Sequence, residues 1–348
     1  MSVADIHNTS FVNPEKPLLE VRGLSKHFRI SAGFRQKQRV VHAVDGVNFA
    51  VARGEVLGIV GESGCGKSTT ARLVINLIER DEGEILLDGQ ALGDRLSLRD
   101  LRRQVQMVFQ DSYASLNPRL TIEDSISFAP RVHGVSSREA RARAHDLLRR
   151  VGLDPRYFAG RYPHELSGGQ RQRINIARAL ALQPRLVLLD EATSALDKSV
   201  EAQVLNLLIE LKGALGLTYV FISHDLNVVR FISDRIMVMY LGEVVETGPA
   251  ETLFKDTRHP YTRALLGAMP SLDPANRTKE PPITGDPPNP INPPPGCRFH
   301  TRCAYAESVC AKTAPALVTT GNAVHFAACH MENPASGHTK AGLFSPGV

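Results

Sequence analysis

The sequence predicts an α/β protein: a parallel β core, an antiparallel β portion before it, a helical stretch inside it, and a small cysteine-containing extension after it. Three observations carry this reading. VLGIV (56–60), RLVLLD (185–190) and TYVFIS (218–223) are short unbroken apolar runs, as expected of strands covered on both faces. Helical patterns separate them: STTARLVINLI follows the first, and SVEAQVLNLLIELKGAL joins the second to the third. Strand, helix and strand in alternation mean a parallel α/β core. A glycine-rich turn, GESGCGKST (61–69), lies between the first strand and its helix.

The elements follow in order. From Leu18 to Val60, LLEVRGL, VVHAVDGVNFAV and EVLGIV read as β segments, with the basic stretch RISAGFRQKQR between the first two. GEILLDGQAL carries an Asp88-Gly89 hairpin signal. Residues 111–165 read as helical. Within them, SSREARARAHDLLRRVGL opens with Ser136 and Glu139 spaced as a capping box, and Ala140, Ala144, Leu147, Leu148 and Val151 fall on one face. Its arginines are read as the solvated face of that helix, ahead of a membrane-surface or nucleic-acid role. RIMVMYLGEVVETG reads as a last hairpin. Residues 281–295, PPITGDPPNPINPPP, are more than half proline and read as an extended arm, about 45 Å long if straight. The tail beyond is expected to be a small module held away from the core.

Bulk composition narrows the class. A chain of 348 residues suggests two units, or one large domain with an appendage. At 43% apolar the composition suffices for a core, while no run approaches the roughly 20 apolar residues of a membrane helix. The first residues lack a signal-peptide pattern, so a cytosolic chain is expected. Forty-one Lys and Arg against 36 Asp and Glu leave +5, too small an excess to call for nucleic acid.

GESGCGKST fits G-x-x-x-x-G-K-[ST] directly after a strand and before a helix. The residue types suit the chemistry. Gly61, Gly64 and Gly66 let backbone N–H groups turn toward phosphate oxygens, with Glu62, Ser63 and Cys65 completing the loop. Lys67 reaches the β- and γ-phosphates, Ser68 offers its hydroxyl to Mg²⁺, and Thr69 continues into the helix. Cys65 is read as a tolerated small residue, although alkylating it is expected to block the loop. Asp190 and Glu191 end the strand LVLLD. Asp190 is placed to hold Mg²⁺ through water, and Glu191 to take a proton from the attacking water.

LSGGQ (166–170), with Ser167, Gly168, Gly169 and Gln170, opens an amphipathic helix as a second anion site. At this point the chain resembles the ATP-binding cassette family, and the resemblance covers residues 18–265, most of the chain. It implies an ABC nucleotide-binding domain with a RecA-like core, an antiparallel β subdomain and a helical signature subdomain at about 111–165. It further implies ATP and Mg²⁺ as ligands, bound between two cassettes that meet head to tail, with Ser167, Gly168 and Gly169 on the partner's γ-phosphate. Gln110 resembles the family's glutamine that senses Mg²⁺ and the attacking water. His224 in FISHD resembles the switch histidine, Asp197 in SALD the loop aspartate that crosses the dimer, and Phe28 the ring stacked on adenine. One departure is Ala192, where many members carry proline.

With no membrane segment fused to the cassette in this sequence, a half-exporter is not expected. RHPYTRALL (258–266), NPPPGCRFHTRC (292–303) and SYASLNPR after Gln110 resemble the dipeptide, oligopeptide and nickel importer ATPases, and the second of their two ATPase types. The resemblance implies a second ATPase subunit, two membrane permease subunits, an extracytoplasmic solute-binding protein and a peripheral place on the cytoplasmic face of the bacterial inner membrane. It also divides the chain into an ATPase domain at 18–265, a proline-rich arm at 266–295 and a cysteine extension at 296–348. No residue here separates dipeptides from longer peptides, nickel or glutathione, because the cargo need not touch this chain. A soluble cassette ATPase acting on nucleic acid or ribosomes is the rival of another class.

Four of five cysteines, Cys297, Cys303, Cys310 and Cys329, lie in the tail, spaced C-x5-C-x6-C-x18-C. A reducing compartment argues against disulfides. The spacing lacks the tight pair of most structural zinc sites, which leaves an iron–sulfur cluster, zinc or plain thiols open, with His300 and His330 as substitute ligands. The family resemblance implies a [4Fe–4S] cluster.

Overall fold

The computed structural model describes residues 17–30, 39–269, 285–286 and 288–342. The interrupting stretch at 31–38 and most of the arm, 270–284 and 287, lie outside the described residues.

Two sheets form the body. In the first, β1 (Leu19–Ile30) runs between β2 (Arg39–Val51) and β4 (Glu82–Leu87), all antiparallel, and β4 turns through Asp88 and Gly89 into β5 (Gln90–Ala91). Both turn residues have positive φ, 55° and 75°, the left-handed backbone that Asp-Gly signals.

The second sheet holds β3 (Val56–Val60), β6 (Val105–Val108), β7 (Leu186–Asp190), β8 (Thr218–Ile222) and β9 (Arg235–Tyr240), which pair in parallel in the order β6-β7-β8-β3-β9. β10 (Glu243–Pro249) then joins β9 antiparallel. The apolar runs split residue by residue between two cores. Leu57 and Ile59, Leu186 and Leu188, Val220 and Ile222, and Met237 and Met239 pack toward the antiparallel sheet and the helix α1 (Lys67–Val74). Val56 and Val60, Val187 and Leu189, Tyr219 and Phe221, and Ile236 and Val238 pack on the opposite face with α6 (Gly168–Leu180) and α7 (Lys198–Leu215). Two buried faces explain why no polar alternation shows in the sequence.

α2 (Leu98–Gln104) leads into β6, after which the chain enters the helical portion: α3 (Ile122–Val132), α4 (Ser137–Arg150) and the short α5 (Pro155–Phe158). The expected inner face of α4 is the observed one, with Ala140, Ala144, Leu147, Leu148 and Val151 buried. The capping box is only half made. Ser136 Oγ accepts from the Glu139 N–H at 3.2 Å, but the Glu139 carboxylate is taken by Arg143 one turn on, at 3.0 Å.

The tail differs most from expectation. Instead of standing apart, β12 (Phe326–Ala327) pairs with β10, and β11 (Val318–Thr319) pairs with β12, so the tail widens the main sheet to eight strands among the described residues. A buried cluster locks the junction. The Glu246 carboxylate accepts from the N–H groups of Arg258 and His259 at 2.8 and 2.9 Å, and His325 Nε2 lies 2.8 Å from it. Burial pushes His259 down to about 4, so its ring is neutral near pH 7. In the described part of the arm, the Pro290 carbonyl accepts from the His42 N–H at 3.0 Å, laying this segment on β2.

Candidate active site

The carboxyl ends of β3, β6, β7 and β8 form one edge of the parallel sheet, where open α/β sheets bind ligands. The sequence-predicted residues gather there. Gly61 to Thr69 leave β3, wrap outward with Ser63 and Gly64 exposed, and run into α1. Gly66 has φ 107°, and a side chain there would collide with the Ala43 carbonyl, so the loop requires glycine. The Lys67 amine donates to the carbonyls of Gly61 and Glu62 at 2.7 and 3.0 Å. Cys65 is buried, and burial pushes its thiol up against the opposing pull of Lys67, which makes alkylation slow rather than easy.

Ser68 and Asp190 face each other, the Ser68 hydroxyl donating to Asp190 Oδ1 at 2.7 Å. Asp190 Oδ2 is buried with no hydrogen-bond partner among the described residues. Burial raises the Asp190 pKa, and the Ser68 hydrogen bond opposes it. A hydroxyl and an orphaned carboxylate oxygen side by side are the hard donors a Mg²⁺ ion takes, so the residues fit this ion.

Beside them, Glu191 is held in the left-handed region at φ 46°, a conformation that costs about 1–3 kcal/mol in a non-glycine residue. Its Oε2 accepts from Gln110 Nε2 at 3.0 Å and lies 3.4 Å from His224 Nδ1. Three loops, from the ends of β6, β7 and β8, thus converge on one carboxylate oxygen. Lys198 bonds Asp225 and Glu201 at 2.8 Å each, tying the start of α7, next to Asp197, to the loop of His224. Phe28 lies near the end of β1, 37% exposed, with Lys26 Nζ 5.6 Å from its ring centre.

The second anion loop is not part of this convergence. Ser167 caps α6 with a full capping box: its Oγ accepts from the Gln170 N–H at 3.3 Å, and its own N–H donates to Gln170 Oε1 at 3.0 Å. A side chain at Gly169 would strike Val200 of α7, so the helix start sits directly on that neighbour. Ser167 is exposed at the helix tip, which leaves this positive end open to an anion from outside.

Sequence reasoning missed the tail's reach into the phosphate loop. Tyr261 OH accepts from the Glu62 N–H at 2.8 Å, and the Arg302 guanidinium takes both Glu62 carboxylate oxygens at 2.8 and 3.1 Å. Nearby, Arg298 pairs with Asp45 and with Glu243, the latter at 2.9 Å. Asp45 also lies with His27 and His42 in a set whose donor atoms fall within 4.8 Å of one another, but Arg298 already takes its carboxylate.

The tail cysteines are free thiols brought together by the fold. Burial pushes Cys297 and Cys329 up to about 12, and neighbouring thiols add to this: Cys310 and Cys303 for the first, Cys297 and Cys303 for the second. Among the described residues no three of these sulfurs lie within 4.8 Å of one another, whereas a four-coordinate zinc draws its sulfurs to about 3.8 Å. His330 Nε2 is 2.8 Å from the Thr313 carbonyl, and His300 Nδ1 is 2.8 Å from that of Cys297. Those two ring nitrogens are engaged with backbone.

Fold and loops together define a phosphate-loop ATPase. Residues 44–194 match the family model described as ABC transporter, and residues 245–310 match that of the oligopeptide/dipeptide transporter C-terminal region. The chain is 50% identical to a probable peptide ABC transporter ATP-binding protein, y4tS, of Sinorhizobium fredii, over 92% of this chain and 91% of that one. It is 49% identical to the oligopeptide transport ATP-binding protein AppF of Bacillus subtilis, over 91% and 98%. Among solved structures it resembles cbiO1 from Clostridium perfringens, part of the transporter complex cbiONQ, with 30% identity and a TM-score of 0.60 over 70% of this chain and 92% of that one. It also resembles the dimeric cassette MJ0796 bound to ADP and Pi, with 32% identity and a TM-score of 0.58 over 67% and 98%. The chain belongs to the ATP-binding cassette transporter family and is an ATPase of its oligopeptide/dipeptide branch.

Proposed function

We propose that this chain is the ATP-hydrolysing subunit of a membrane importer of peptides, and that Glu191 is its general base. The observation that carries the base assignment is the convergence of Gln110 and His224 on Glu191 Oε2, beside Ser68 and Asp190. Gln110 and His224 orient that carboxylate, and the loop 61–69 with Lys67 holds the triphosphate. Mg²⁺, when held by Ser68 and Asp190 with Gln110 near, supplies neutralisation of charge on the β- and γ-phosphates. Phe28 offers its exposed ring to adenine.

Ser167, Gly168, Gly169 and Gln170 serve a second cassette's ATP, and Asp197 crosses the same interface. The exposed tip of α6 and the dimeric cassette among the relatives support this. Two such subunits sit under two permease subunits at the cytoplasmic face of the inner membrane, fed by an extracytoplasmic solute-binding protein. None of the described helices is long and apolar enough to cross a membrane, as a peripheral subunit requires. The peptide assignment rests on the names of the curated relatives and on the match at 245–310.

The four tail cysteines hold a [4Fe–4S] cluster. Four thiols outside any disulfide, Cys310 buried and the other three half-buried, with no three of their sulfurs within 4.8 Å of one another, support it. Protein purified without oxygen is expected to be brown and to release iron and sulfide in equal amounts, and a colourless, iron-free product would reject the assignment.

A further inference from the structure

Glu62 is an oddity: a carboxylate on a loop shaped to receive a triphosphate. All three of its polar parts are engaged. Its carbonyl holds the Lys67 amine at 3.0 Å, its N–H donates to Tyr261 at 2.8 Å, and its carboxylate grips Arg302 through two bonds. The partners come from far along the chain, 199 residues away for Tyr261 and 240 for Arg302. Both are set firmly. Arg302 is 7% exposed at its side chain and also donates to Tyr240 OH at 3.4 Å. The rings of Tyr240, Tyr261 and Phe299 pack within 5.4 Å of one another, with Phe299 supplied by the tail.

We propose that Arg302 is a positioning residue for ATP: by neutralising Glu62 and fixing it in place, the tail makes the phosphate loop fit to bind a polyanion. A forked guanidinium suits this work because it holds a carboxylate in one plane through two parallel bonds, which a lysine does not. Without it, a partly buried negative charge is left uncompensated on the loop that receives the phosphates, and the carbonyl that holds Lys67 loses its anchor. The extension is thus a working part of the nucleotide site. The inference rests on ATP occupying the loop 61–69, which Lys67→Ala tests separately by abolishing binding.

The experiment measures ATP affinity calorimetrically, and steady-state hydrolysis, on the full chain. Arg302→Met is expected to weaken ATP binding about tenfold and to raise KM in step, with kcat at saturating ATP changed less than about twofold. Glu62→Gln in the same chain removes the charge that Arg302 answers, so the double variant is expected to return to within about threefold of the wild-type affinity. If Arg302 merely braces the fold, the double variant binds no better than Arg302→Met, and the proposal fails. Wild-type affinity in Arg302→Met, or a loss confined to kcat, overturns it equally. A loss in Lys67→Ala smaller than in Arg302→Met would instead remove ATP from this loop.

Discussion

Glu191→Gln is expected to bind ATP as the native protein does and to hydrolyse it about 10²- to 10⁴-fold more slowly. The amide keeps the size and most of the contacts of the carboxylate, so the backbone at φ 46° and the neighbouring loops have no reason to rearrange. What disappears is the proton acceptor on which Gln110 and His224 converge at 3.0 and 3.4 Å. Asp190 does not stand in, since its Oδ1 takes the Ser68 hydroxyl and its buried Oδ2 is the oxygen left for Mg²⁺. Single-turnover hydrolysis checks this, and a variant within about threefold of native would remove Glu191 from the base role.

Ser167→Arg is expected to separate binding from turnover. Ser167 has no bond to the loop 61–69 in its own chain, so ATP affinity of the isolated subunit should stay within about twofold. In the assembled transporter a bulky cation replaces the cap proposed to face the other subunit's nucleotide, and hydrolysis should fall about 10²-fold or more. Losing the cap itself costs only about 1 kcal/mol, too little to unfold the chain. Native turnover in the assembled complex would argue against a shared site.

The parts of this picture that were legible in the sequence are those written locally. The strand VLGIV followed by GESGCGKST places a phosphate loop at a sheet edge because the turn, the glycines and the helix start are contiguous. Asp190 and Glu191 were legible as acids at the end of an apolar strand, Gln110 and His224 through the family resemblance, and parallel pairing brings their strand ends together. The division of each strand between two cores was hidden, since both faces are apolar. The capping box at Ser136 misled by half, because a competing Arg143 lies one turn away. The tail was the largest surprise. β12 is two residues long, too short for any periodicity, and it is held by the buried Glu246 and His325 rather than by pattern. Nothing local in CRFHTRC tells that its second arginine reaches Glu62, 240 residues earlier.

The central claim, that this ATPase drives a peptide importer, is tested most directly in vesicles holding the chain with its second ATPase, two permease subunits and solute-binding protein. Hydrolysis should rise several-fold when the binding protein is loaded with peptide and should bring labelled peptide into the lumen. A rate indifferent to loaded binding protein, together with stimulation of the isolated chain by nucleic acid, would contradict the account.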